Sequence, residues 1–132
     1  MSLTVDSEQS QVAEIALAPD ADFTDQEHLS TLLVSVRRHL HRNPELGLHE
    51  FKTSRFIREI LETHGLTVHG PLATTGLYVD IEGDHPGPTI GYRADIDALP
   101  IQDLKKVPYR STLPGIAHLC GHDAHTSIAI GI

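Results

Sequence analysis

The stretch TIGYRADIDALP, residues 89–100, decides how the chain reads. TIGYRA (89–94) has the look of a well-buried β-strand. It runs directly into DIDALP (95–100), where Pro100 enforces a turn. Asp95 and Asp97 therefore stand two positions apart where a strand ends. In α/β folds, sites gather outside the carboxyl ends of strands. The plainer alternative is that one aspartate caps the turn and the other is solvated. Spacing alone leaves both open.

Upstream, the pattern is helical. Thr24 and Glu27 have capping-box spacing. Leu29, Leu32, Leu33, Val36 and Leu40 then fall on one face of a helix. Arg37, Arg38 and His39 bring positive charge to its last turns, as the helix dipole favours. Asn43 before Pro44 closes it. A second helix is expected from about Glu50 to His64, with Phe56, Ile57, Ile60 and Leu61 as its stripe and Gly65 at C′. The period then changes. LTVH (66–69) reads as a short strand ended by Gly70-Pro71, and LYVDI (77–81) alternates with Leu77, Val79 and Ile81 on one face. GDHPGP (83–88) is turn chemistry. Helices, then strands, then a further helix imply an α/β domain, with no strand order readable.

Downstream lies HLCGHDAHT (118–126), which holds the only cysteine and three of the ten histidines. Cys120 and His122 are two apart, so on extended backbone they project to one side. A thiolate and an imidazole suit a borderline divalent ion such as zinc. Asp123 could take the proton from the other nitrogen of a ligand histidine. His122 and His125 would share a face of a helix beginning here. Two other readings stand beside this one. Cys120 could be a nucleophile activated by a histidine, although such pairs need a third group and usually come from distant positions. Or Cys120 is a buried cysteine beside exposed histidines at a helix start. Two ligands alone do not complete a metal site.

Composition narrows the classes. At 132 residues the chain can form one core, burying roughly two-thirds of its unfolded surface. Its hydrophobic fraction of 39% and charged fraction of 21% are ordinary for a soluble domain. Ten Lys and Arg against 18 Asp and Glu give a formal charge of -8, which argues against nucleic acid as a partner. No apolar run approaches the roughly 18 residues of a membrane span. One cysteine excludes an internal disulfide and fits a reducing, cytoplasmic compartment. Residues 1–22 lack a basic n-region and read as a loosely ordered leader, with residues 23–132 as the folded part.

Three segments together carry a family resemblance: VRRHLHRNPELGLHEFKTS, TIGYRADIDALPIQ and VPYRSTLPGIAHLCGHDAHT. They resemble the M20 metallopeptidases, and within them the amidohydrolase branch of N-acyl-amino-acid amidohydrolases, hippurate hydrolases and auxin-conjugate hydrolases. The likeness runs from about Leu29 to Ile132, in the family's order. Ile96 and Ala124 are conservative departures. The resemblance implies the N-terminal portion of a zinc-peptidase-like catalytic domain, with helices packed on a mixed β-sheet. It implies two divalent metals, zinc or manganese first and cobalt or nickel next, with Cys120 and His122 as ligands. Asp97 would support the site, and Asp95, Asp123 and His125 are further supporting candidates. His118 matches too, without an assigned role. Arg42 to Gly47 looks structural: a helix stop, a tight turn and a bridge between helices.

The implied reaction is hydrolysis of the amide of an N-acyl amino acid or peptide-like conjugate by a metal-activated water. The general-base glutamate, the remaining ligands and the dimerisation domain of the family are expected beyond Ile132, so the intact protein would be the enzyme and a homodimer. The alternative is a truncated, non-catalytic metal-binding or interaction fragment.

Overall fold

The computed structural model describes residues 25–132. The expected leader lies outside the described residues, as does Thr24. Helix α1 spans Gln26–Arg42, and its N-cap is Asp25, whose side chain accepts from the Glu27 amide at 2.9 Å. A carboxylate directly before the helix thus does the capping that the Thr24–Glu27 spacing suggested. Leu32, Val36 and Leu40 are buried, and Leu29 and Leu33 are half-buried, so the apolar stripe faces inward as read. Asn43 ends α1, its amide bonding to His39 and Leu40 carbonyls.

Helix α2 spans Phe51–Thr63. It ends in a Schellman motif: the Leu66 amide reaches the Leu61 carbonyl and the Gly65 amide reaches Glu62, both at 3.0 Å. Gly65 has φ +80, which explains the glycine there. Leu32, Val36 and Leu40 of α1 meet Phe56 and Ile60 of α2 in one core cluster. Burying each such side chain contributes roughly 1.5–3 kcal/mol. Ile130 packs against this cluster from a third helix, α3, spanning His122–Ile130, which lies along α1.

The strands are placed differently from the sequence reading. Strand β1 is His69–Leu72 and β2 is Gly76–Tyr78, paired antiparallel with an irregularity between His69 and Leu72. Gly70-Pro71 therefore lies inside β1 instead of ending a strand at 66–69. A two-stranded ribbon is all edge, so proline's missing N–H costs it little. Leu77 and Val79 are half-buried as the alternation required, but Ile81 is 68% exposed. TIGYRA departs further. It forms no ladder among the described residues, and Ile90 and Tyr92 are 87% and 60% exposed. A strand exists only where a neighbour takes up its N–H and C=O groups, and no described segment does so for 89–94.

Pairing of both senses survives where the site forms. Leu46 bridges Ala98 in parallel, and Leu99 bridges Ala117 antiparallel. The described residues are thus an α/β arrangement of three helices, a small antiparallel ribbon and a bridged strip at residues 98 and 99.

Candidate metal centre

Backbone bonds bring the three sequence segments to one place. The Ala98 amide donates to the Glu45 carbonyl at 2.7 Å, and Leu99 and Ala117 exchange both amide bonds at 3.0 Å. HRNPELG is thereby tied to one side of DIDALP, and the run into CGHD to the other. Further bonds brace the turn. Glu45 accepts from the Thr53 amide in the first turn of α2, and buried Glu50 accepts from the Thr75 hydroxyl. Thr112 donates through both its amide and its hydroxyl to the Arg42 carbonyl.

Asp97, so pinned, faces His122. The His122 Nδ1 lies 2.8 Å from Asp97 Oδ1 and 3.1 Å from the Asp97 carbonyl. Both oxygens can only accept, so Nδ1 carries the proton and donates. Nε2 is then left with a lone pair, the arrangement that a metal-ligating histidine requires. Gly121 sits between Cys120 and His122 with φ 86, a left-handed turn that also opens α3. The Cys120 thiol is exposed, and among the described residues no histidine hydrogen-bonds to it. That is a poor setting for a nucleophile that needs a base, and a suitable one for a ligand. A thiol and a free imidazole nitrogen on one turn fit a divalent metal, although among the described residues no group of three or more potential ligands is assembled.

The supporting candidates divide. Asp95 pairs with Arg93, and its carbonyl accepts from the Thr126 hydroxyl of α3 at 3.1 Å. His125 is exposed, with its ring 5.7 Å from that of His122. Asp123 does not have the role its spacing suggested. Its carboxylate is buried, and its partners are Arg37 Nε at 3.0 Å and His41 Nδ1 at 2.7 Å, both on α1. Asp97, 25 positions before His122, holds the ring instead. The helix periodicity explains this: with His122 as the first residue of α3, Asp123 points about 100° away.

Sequence reading missed the buried polar cluster behind this turn. His41 and Asp103 are both 0% exposed. His41 Nε2 lies 3.3 Å from Asp103 Oδ2 and 3.0 Å from Lys105 Nζ. Asp103 also accepts from the Lys105 and Ser111 amides, each at 3.0 Å. Burial pushes the Asp103 carboxyl up, but those two amides together with Lys105 and His41 pull harder, and the net shift is down. Burial likewise raises Asp123, and the His41 hydrogen bond and Arg37 overcome it. The one available signal was the i, i+4 spacing of Arg37 and His41, beside the apolar stripe.

His118 is 4% exposed, and neither ring nitrogen has a partner among the described residues. Burial is the main cause that lowers its pKa from 6.5 to about 4. Between those values the unfolded chain binds the proton and the folded chain does not, so stability falls as pH drops from 6.5 to about 4. Roughly 3 kcal/mol is at stake. The Asp103 and Asp123 contributions are present above the carboxylate's ordinary 3.8 and are lost below it, as pH passes through their lowered values. Urea melts across pH should show the first decline in the wild type and a flatter curve in His118→Leu, which has nothing to protonate there. An unchanged slope in that variant would contradict the assignment.

The sequence model of peptidase family M20/M25/M40 matches residues 91–132. N-acetyl-L-cysteine deacetylase of Bacillus subtilis (strain 168) is 47% identical over 107 residues, which is 79% of this chain and 26% of that protein. IAA-amino acid hydrolase ILR1-like 5 of Arabidopsis thaliana is 39% identical over 117 residues, or 89% of this chain and 25% of that one. The crystal structure of the Bacillus subtilis YXEP protein, described as a dinuclear metal binding peptidase, superposes with a TM-score of 0.76 at 42% identity. It matches 80% of this chain, which covers 30% of it. The chain spans about a quarter of the length of the curated relatives it matches.

Proposed function

This chain belongs to peptidase family M20/M25/M40, and on that premise we propose that the full-length protein hydrolyses the amide bond of N-acyl amino acids or related conjugates. The observation that carries the proposal is the His122 ring, held by Asp97 through Nδ1 with Nε2 left free, two residues beyond the exposed Cys120. Cys120 and His122 hold divalent metal, zinc or manganese first and cobalt or nickel next. Asp97 keeps the proton on Nδ1 and fixes the ring plane. The Thr126 hydroxyl, donating to the Asp95 carbonyl, ties the segment that carries Asp97 to α3. When bound, the metal supplies Lewis acidity toward a carbonyl and a water. The names of the relatives support small acylated amino acids as the substrate class. The single cysteine and the formal charge of -8 support a cytoplasmic protein without nucleic-acid partners, and the family resemblance supports a homodimer.

One observation favours the alternative, a non-catalytic metal-binding or interaction fragment: among the described residues no group of three or more potential ligands is assembled. Chelation separates the two readings. Treating the full-length protein with a strong chelator should abolish hydrolysis of a panel of N-acyl amino acids, and zinc or manganese should restore it. Activity that survives chelation, or a thioester trapped on Cys120, would refute the metal reading.

A further inference from the structure

The start of α3 is held from two sides, and only one of them touches the His122 ring. On the first side Asp97 fixes Nδ1. On the second, Asp123, the next residue, is drawn to α1 by His41 and Arg37. His41 is in turn fixed by Asp103 and Lys105, and Asp103 is fixed by the Lys105 and Ser111 amides. The helix needs this anchor. Its N-cap is a left-handed glycine with no side-chain cap, so nothing local sets the angle at which Cys120, Gly121 and His122 leave the segment bridged at Ala117.

We propose that His41 is a positioning residue: through Asp123 it sets the placement of the Cys120–His122 turn, and so the affinity of that turn for metal. The proposal rests on the metal-site reading above. Nδ1 of His41 faces the anchor and Nε2 faces the Asp103 loop, so the two functions of the ring can be separated by substitution. Asparagine places an amide N–H near the position of Nδ1 and can still donate to Asp123, but falls short of Asp103. Glutamine reaches toward Asp103 and Lys105 and leaves Asp123 without that donor.

The test uses the full-length protein as wild type, His41→Asn and His41→Gln, titrated with cobalt(II). Thiolate-to-cobalt charge transfer in the near ultraviolet reports the Cys120 bond, and metal-free thermal melts report stability. Both variants should melt lower, since each leaves a buried polar group short of a partner. His41→Asn should keep an apparent Kd for cobalt within about threefold of wild type, whereas His41→Gln should weaken it about 10–100-fold, the range for groups that orient ligands. If the two variants bind cobalt alike, or if affinity simply follows melting temperature, His41 serves stability only and the proposal is overturned. If the wild type shows no thiolate band, the metal-site reading itself fails and takes this inference with it.

Discussion

Replacing His122 or Cys120 with alanine in the full-length protein should reduce amide hydrolysis to below about one per cent of wild type, because on the proposed reading each change removes one of the few metal ligands. Asp97→Asn should be milder and more informative. The asparagine carbonyl can still accept from His122 Nδ1, now 2.8 Å from the carboxylate, so the ring plane is kept. The negative charge that makes the imidazole a better donor to metal is lost, and activity or metal affinity should fall about 10–100-fold. Turnover together with metal content per chain by elemental analysis checks all three. Full activity with a full complement of metal in Asp97→Asn would mean the carboxylate does not tune the site.

The largest stability effect is expected at Asp103. Its carboxylate is fully buried and accepts from two backbone amides, while facing His41 and Lys105. Asp103→Ala leaves both amides without an acceptor and removes the charge opposite Lys105. Breaking a buried pair by deleting one partner costs about 3–5 kcal/mol. That is a large share of the roughly 5–15 kcal/mol that holds a domain folded. Urea denaturation should show a lower midpoint at an unchanged m-value. A midpoint within error of wild type would show that the cluster contributes no net stability.

The helices were legible because their information is local. The stripe from Leu29 to Leu40 and the stop at Gly65 need only the chain's own periodicity and one left-handed position. Legibility failed where partners decide. TIGYRA has strand composition, yet among the described residues nothing pairs with it, and Ile90 and Tyr92 stay exposed. The hairpin moved to include Gly70-Pro71 because a two-stranded edge tolerates what a central strand would not. In the site, the Cys120–His122 spacing and the closely spaced Asp95 and Asp97 could be read directly as candidates, though no strand ends at them among the described residues. The division of labour between Asp97 and Asp123 could not, since it depends on which way α3 turns after Gly121. His41 and Asp103 are 62 positions apart, and no local pattern joins them.

The central claim is that Cys120 and His122 bind metal, with His122 doing so through Nε2 because Asp97 occupies Nδ1. Crystals of the full-length protein loaded with zinc, with data collected on both sides of the zinc absorption edge, test it most directly. Anomalous density should lie about 2.3 Å from Cys120 Sγ and about 2.0–2.1 Å from His122 Nε2, with the Asp97–Nδ1 hydrogen bond intact. Zinc bound away from Cys120, or reached through Nδ1 with Asp97 displaced, would contradict the account.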